Sequence, residues 1–244
     1  MLQDELISSL FDGQPHPLAA SVAAWLASSR RFTEFVTVHH TKIRKKLRTV
    51  QDLDALRDLE LELQTPYLLL RERALSVRYE PQHPREGRSP DFAVDFTTSL
   101  TFMLEVTRLR SARLGSVSVE GVPMTLPLSD GFSDALCSKL GQLLPQRSNV
   151  LVVGAEPAEI TQEDLRLGML RLQQRAERND PAVIERHGFR DRAAFFQHYQ
   201  RLSLLLIRDL PLEAAKPPVL WENPQAKHPL PARARAAVSR SHTL

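Results

Sequence analysis

Two acidic residues on adjacent predicted strands constrain this chain more than any other feature. Segments 91–96 (DFAVDF) and 101–107 (TFMLEVT) consist of strand-forming residues joined by a Ser/Thr turn, and they predict a hairpin. Glu105 lies in the middle of the second strand, where a carboxylate is costly to bury unless it is paired or bound to a cation. Asp91 opens the first strand, so the hairpin would bring the two carboxylates together. Such a pair suits Mg²⁺ or Mn²⁺, which prefer oxygen ligands.

The elements around this hairpin are predicted to alternate between helix and strand. A helix over 51–73 and a strand over 75–80 precede it, and a helix over 131–145 and an apolar strand over 149–153 follow it. The resulting order, α-β-β-β-α-β, indicates the α/β class. A proline-rich loop over 81–90 leads into the first acidic residue and would lie beside the proposed site.

The two acidic residues also resemble a known motif. Pro90-Asp91 followed by Glu105-Val106-Thr107 is similar to the PD-(D/E)xK motif of the restriction-endonuclease-like nucleases. The resemblance implies a restriction-endonuclease-like core, which is a mixed central sheet flanked by helices. It also implies that Asp91 and Glu105 hold Mg²⁺ or Mn²⁺, which activates water against a phosphodiester bond. Thr107 stands where the family has a lysine that assists the water, so the motif here reads Glu-x-Thr instead of Glu-x-Lys.

The same resemblance implies further site residues on the two flanking helices. The family often presents a glutamate from the helix before the first core strand, and Glu62 is the preferred counterpart here, with Glu60 as the alternative. The helix after the third strand often offers a Lys or Gln, which makes Lys139 a candidate to replace the missing lysine, with Gln142 on the same face. Thr107 could orient the water by hydrogen bonding, but it carries no positive charge. Solvent-exposed positions on amphipathic helices are the alternative interpretation of these four helical residues.

Basic residues are concentrated in two segments. Residues 42–48 and 223–244 each carry several basic residues and no acidic one. Such a local excess is typical of a phosphate-backbone contact, although a solvated helix face and a basic tail are equally good interpretations. The candidates for nucleic-acid binding in the first segment are Lys42, Arg44, Lys45, Lys46 and Arg48.

The composition argues against several other classes. The chain of 244 residues is 42% hydrophobic and 25% charged, as in ordinary globular proteins. It has one cysteine, no apolar run near the ~18 residues that span a bilayer, and no secretory signal pattern at its start. We therefore expect a cytoplasmic protein with no membrane partner. Phosphate-loop, dinucleotide-binding and serine-hydrolase motifs are absent from the sequence.

These observations divide the chain into four regions. They are a helical N-terminal extension with a basic cluster (1–50), the core (51–155), a helical and strand elaboration of the same domain (156–210), and a proline-rich, basic C-terminal segment (211–244) with a loosely ordered end. The leading hypothesis is a metal-dependent endonuclease that acts on nucleic acid, with DNA favoured and a homodimer possible. The alternative is a non-catalytic module of the same fold that binds nucleic acid or another protein. A third interpretation makes the two acidic residues structural, paired with arginines.

Overall fold

The computed structural model describes residues 3–81, 89–109, 130–155, 160–210 and 217–243, which form an α/β architecture. In chain order, the elements of these ranges are α1 (Gln3–Leu10), α2 (Ala19–Ser28), α3 (Arg30–Val38), α4 (His40–Thr49), α5 (Leu53–Leu69), β1 (Leu75–Tyr79), β2 (Phe92–Phe96), β3 (Leu100–Arg108), α6 (Asp130–Leu140), β4 (Asn149–Ala155), α7 (Gln162–Glu177), α8 (Arg192–Tyr199), β5 (Leu202–Asp209), β6 (Val219–Glu222) and α9 (Ala232–Ser241). The predicted order of helix, three strands, helix and strand is present from α5 to β4.

The strands of the described ranges form one mixed sheet in the order β1-β2-β3-β4-β5-β6. The first three strands form an antiparallel meander, β3, β4 and β5 run parallel, and β6 returns antiparallel along β5. Parallel neighbours need a crossover, and helices α6, α7 and α8 lie on these connections. The predicted hairpin is therefore the β2–β3 pair, in which Phe92 lies opposite Leu104.

Helices cover both faces of this sheet. Strands β4 and β5 are apolar at successive positions, and every residue but Asp209 is buried, as expected for strands with two covered faces. Val150 and Val152 belong to a core shared with α1–α5 and α9, whereas Leu151 and Val153 belong to a core shared with α6, α7 and α8. Glu105 contacts α6, so its side chain lies on the face of the sheet that α6, α7 and α8 cover.

The N-terminal helices are shorter than the sequence predicts. The pattern favours one helix over 17–30 and another over 32–48, but the second is wrong because the chain bends at His39 and continues as α4. Helix α3 begins where the Ser29 hydroxyl accepts a hydrogen bond from the backbone of Phe32 at 3.2 Å. The bend lets the apolar faces of both short helices reach the same core.

Helix α5 carries the candidate glutamates and contains a proline. The Asp52 side chain caps its start by accepting from the backbone of Ala55 at 2.7 Å. Pro66 lies inside the helix, which continues to Leu69. Because proline has no N–H, it leaves the carbonyl four residues earlier without its helical donor, and that carbonyl belongs to Glu62.

The prediction of a loosely ordered C-terminal end is wrong. Residues 232–241 form α9, and the small side chains of Ala234, Ala237 and Val238 are buried in the core shared with α5. His242 follows and is also buried. The segment 209–232, which the sequence predicts to be extended, contributes β6.

Two predictions fall largely or wholly outside the described residues. The first is the loop predicted over 81–90, of which residues 81, 89 and 90 are described. The second concerns 116–125, for which the sequence predicts an irregular extended segment or a hairpin. In the described ranges, no helix has the length and apolar character needed to cross a membrane.

Candidate active site

Asp91 is held at the start of β2 by backbone hydrogen bonds from both neighbouring strands. Its carbonyl accepts from the backbone of Glu80 at 2.8 Å, which extends the β1–β2 ladder. Its carboxylate oxygen Oδ2 accepts from the backbone N–H of Val106 at 2.8 Å. The side chain therefore points across the sheet toward β3, as the predicted convergence of the two acidic residues requires.

Glu105 and Asp91 converge on the same ammonium group, that of Lys139. The Nζ atom of Lys139 donates to Glu105 Oε2 at 2.9 Å and lies 3.5 Å from Asp91 Oδ2. Helix α6 positions this lysine near its last turn, where Leu136, Cys137 and Leu140 anchor the helix in the core. The structure thus brings together the two predicted metal ligands and the lysine proposed to replace Thr107. Both carboxylates are paired with a lysine instead of the arginines of the third interpretation.

Burial and the neighbouring charges shift the pKa values of Glu105 and Lys139. The side chain of Glu105 is 3% exposed, and this burial, together with the nearby charge of Asp91, raises its pKa despite the contact with Lys139. Burial alone would lower the pKa of Lys139, but the two carboxylates outweigh it and raise the pKa. The lysine is therefore a cation that the site itself stabilises.

Glu62 lies beside the same cluster and is tied to the N-terminal extension. Its oxygen Oε1 accepts from Lys46 Nζ at 2.5 Å and from the hydroxyl of Tyr79 at 2.5 Å. Burial raises the pKa of Glu62, and the charge of Asp91 adds to this, while the bonds from Lys46 and Tyr79 oppose it. Glu60, the alternative, interacts instead with Arg208 on β5.

A cleft of about 660 Å³ opens at the end of β3, between α5 and α6. Its lining includes Glu62, Asp91, Thr107 and Lys139. The cleft is of a size that accommodates small ligands or part of a polymer. All the residues named for catalysis therefore line this cleft or, in the case of the buried Glu105, contact a residue that does.

Arg108 and Gln142 lie apart from the carboxylate cluster. Arg108 is buried on the opposite face of β3 and donates to Asp58 at 2.8 Å and to Asp54 at 2.6 Å, so it joins β3 to α5. Gln142 lies beyond the end of α6, where its amide donates to the carbonyl of Ser138 at 3.2 Å. It is not among the described residues that line the cleft.

The predicted nucleic-acid-binding segment is partly neutralised by acids of the same chain. Arg44 and Arg48 both bind the carboxylate of Asp12, and the bond from Arg48, followed by that from Arg44, lowers the pKa of Asp12 to about 2. Lys46 binds Glu62, as described above, and also Glu80 at 2.8 Å.

The two remaining lysines of the segment differ in their contacts. The Nζ atom of Lys42 lies 3.6 Å from the carboxylate oxygen Oε2 of Glu80 and donates to the backbone carbonyl of the same residue at 3.1 Å. Lys45, in contrast, is exposed. Most of the positive charge in this segment therefore stabilises the fold, which weakens the case for this helix as the main phosphate contact.

No family model, curated protein or solved structure matches this chain. What the site can do must therefore be argued from its geometry.

The donor set is small for a metal ion, but one of its carboxylate oxygens is available as a ligand. The described residues hold no group of three or more His, Cys, Asp or Glu side chains at metal-binding distance. Within those residues, however, the buried oxygen Oε1 of Glu105 has no hydrogen-bond partner. A buried carboxylate oxygen without a donor is costly, and a bound cation or a proton removes that cost. Two carboxylates and solvent oxygens would suit Mg²⁺, which keeps several of its waters when it binds proteins.

Several residues of the cleft were missed in the sequence. Asp134 on α6 binds the guanidinium of Arg186 at 3.1 Å and the ring of His187 at 3.1 Å. Asp134 and Arg186 line the cleft. Only the glycine that follows, Gly188, signals a turn at this point, and its φ of +73° fits that signal. Nothing in the spacing of these residues predicts that they meet.

Proposed function

We propose that the protein is a metal-dependent nuclease with a restriction-endonuclease-like core, which hydrolyses phosphodiester bonds in nucleic acid, DNA being favoured. The observation that carries the proposal is the contact of Lys139 with both Asp91 and Glu105 at the end of β3. The motif lacks its lysine at Thr107, and a lysine from α6 reaches the carboxylates instead. The order of elements from α5 to β4 is that of the proposed core.

Asp91 and Glu105 would hold Mg²⁺ or Mn²⁺, and the buried oxygen Oε1 of Glu105 fits this role. A bound divalent ion would supply Lewis-acid polarisation of the phosphate and a lower pKa for a coordinated water. The chain's own residues would align the reactants around it. Asp91 is fixed for this purpose by the backbone of Val106.

Lys139 would supply the positive charge that Thr107 cannot. If Asp91 and Glu105 bind a divalent ion, the Lys139 ammonium would be released toward the cleft. There it could donate to a phosphate oxygen or to the attacking water. The released ammonium would act as a hydrogen-bond donor and an electrostatic stabiliser. Thr107 also lines the cleft and could orient the water by hydrogen bonding.

Glu62 would complete the site from α5. Lys46 and Tyr79 both bind its Oε1, which fixes the carboxyl group at the edge of the cleft. A carboxylate in this position can accept a hydrogen bond from a water molecule in the cleft.

One observation favours the alternative, a non-catalytic module of the same fold that binds nucleic acid or another protein. The ammonium of Lys139 already bridges Asp91 and Glu105, which is where a divalent ion would bind. In such a module this ion pair would be a permanent structural feature, and the carboxylates would have no ligand role.

The test is cleavage of plasmid DNA, single-stranded DNA and RNA by the purified protein in Mg²⁺, Mn²⁺ or EDTA. Asp91→Asn and Glu105→Gln keep the shape of each side chain and remove its charge. We expect metal-dependent cleavage that both variants abolish.

The matched control is Asp95→Asn. Asp95 lies on β2, the strand that Asp91 precedes, but its carboxylate is bonded to Arg78 and Thr101. This variant should cleave like the unmodified protein. Binding of nucleic acid that survives in EDTA and in both active-site variants, without cleavage of any substrate, would contradict the nuclease proposal and support the binding module.

A further inference from the structure

The basic residues that line the cleft differ sharply in their availability to a ligand. Three are present among the described lining residues, Arg108, Lys139 and Arg186. The side chain of Arg108 is 2% exposed and bound to two carboxylates, and that of Lys139 is 17% exposed and bound to two more. The side chain of Arg186 is 62% exposed. Only Arg186 can therefore meet an incoming anion without first breaking a buried ion pair.

Arg186 is nevertheless held in a defined place. It lies in the turn between α7 and α8, where its backbone N–H donates to the carbonyl of Pro181 at 3.1 Å. One guanidinium nitrogen, Nη2, lies 3.1 Å from Asp134 Oδ2, and the other oxygen of Asp134 is bound by His187 at 3.1 Å. The ring of His187 thereby fixes the carboxylate that orients the arginine.

The charge of the cleft favours such a residue. Its described lining residues include four acids and three cations, so they offer a phosphodiester backbone no net positive charge. A guanidinium offers paired N–H donors that match two oxygens of a phosphate, and it keeps its charge at every working pH. An exposed, anchored arginine on the α6 side of the cleft supplies both properties.

We propose that Arg186 binds a backbone phosphate of the nucleic-acid substrate, positioned by Asp134 and His187, so that the strand enters the cleft along the α6 wall. The proposal deepens the proposed nuclease function and rests on it for the nature of the substrate. It assigns substrate binding to a side chain far in sequence from the basic segment 42–48. It also assigns a role to Asp134, which would orient Arg186 without touching the substrate.

The test is the affinity for fluorescein-labelled single-stranded and duplex DNA, measured by polarisation over a series of salt concentrations in Ca²⁺ and in EDTA. Arg186→Ala should weaken binding about three- to tenfold, and Arg186→Glu should weaken it more. The slope of log affinity against log salt should fall by about 0.9 for one lost phosphate contact with duplex DNA. Asp134→Asn should give a smaller loss without a change in slope, because the guanidinium keeps its charge.

The matched control is Arg190→Ala. Arg190 lies in the same connection, is 85% exposed and is also bonded to an aspartate, Asp191, but it does not line the cleft. Equal affinity and slope for Arg186→Ala and the unmodified protein would overturn the proposal, as would an Arg190→Ala variant that weakens binding equally. Absence of binding by the unmodified protein would overturn it too. Arg186-dependent binding without cleavage would instead contradict the nuclease activity and leave this assignment standing.

Discussion

Removal of the Lys139 ammonium is expected to destabilise the metal-free protein and to strengthen its response to divalent metal. Lys139→Met keeps most of the aliphatic stem that packs in α6 and deletes the charge shared by Asp91 and Glu105. The two carboxylates would then face each other in a buried site with no compensating cation. A divalent ion would take the place of the lost ammonium.

The size of this effect follows from the burial of the three groups. Deleting one partner of a fully buried ion pair costs about 3–5 kcal/mol. Here the side chains of Lys139 and Asp91 keep 17% and 22% of their exposure. Glu105 can also escape its charge by taking up a proton. We therefore expect a loss of about 2 kcal/mol in the free energy of unfolding at about pH 8, or a fall of about 4–8 °C in Tm for a chain of this length.

The loss should depend on pH with a defined sign. Without Lys139, the pKa of Glu105 in the folded state rises further above its unfolded value, because the lysine is a group that lowers it. A carboxyl group with a raised folded pKa contributes stability at low pH that is lost as the pH rises. The difference between the variant and the unmodified protein should therefore shrink toward about pH 5 and grow toward about pH 8.

Differential scanning calorimetry in EDTA and in Mn²⁺ measures both parts of the prediction. The Tm of Lys139→Met should rise more with added Mn²⁺ than that of the unmodified protein, because an ion that binds only the folded state stabilises it. Lys45→Met, at an exposed position of α4, is the control. Equal Tm values in EDTA and equal shifts with Mn²⁺ would refute the reasoning that Lys139 compensates these carboxylates.

The remaining predictions concern a buried histidine, a close approach of the backbone to a side chain, and the pairing of Glu62 with Lys46. Burial, with the nearby charge of Arg208, lowers the pKa of His242 to about 4. Because an unfolded histidine titrates near 6.5, the free energy of unfolding should fall by about 3 kcal/mol as the pH drops from about 6.5 to 4. His242→Gln should flatten this part of the pH curve measured by urea unfolding. Gly154→Ala would place a Cβ atom 2.7 Å from Leu61 Cδ2, and it should destabilise the protein by about 1–3 kcal/mol in the same assay; an unchanged midpoint would contradict this close approach. Lys46→Met should raise the pKa of Glu62 and slow cleavage as much as Glu62→Gln does, and the double variant should be no slower than either single one; additive losses would show that the two residues act separately.

The hairpin and its carboxylates were predictable because the signals are local. Alternating strand formers, a Ser/Thr turn and the positions of Asp91 and Glu105 fix which strands pair and which ends meet. The order of elements from α5 to β4 follows from equally local patterns. So does the start of α7, where Thr161 and Asp164 form a capping box. Lys139 could be named as a candidate only through the resemblance to a family motif, since no local pattern links it to Glu105.

The misses have a common physical cause, which is that tertiary contacts decide them. The pairing of Lys46 with Glu62 and that of Arg186 with Asp134 join separate elements, and charge patterns alone present these residues as solvated. The buried stripe of α9 was missed because it consists of small side chains such as Ala234 and Ala237, which lie between arginines and give a weak apolar signal.

The most direct test of the account moves the lysine. If Lys139 performs the task that the motif assigns to position 107, metal-dependent cleavage of DNA should be lost in Lys139→Met and partly restored in the double variant Thr107→Lys, Lys139→Met. Both positions line the same cleft, and Thr107 lies two residues after Glu105 on the same strand. Cleavage at the rate of the unmodified protein in Lys139→Met, or metal-dependent cleavage that survives Asp91→Asn and Glu105→Gln, would contradict the account.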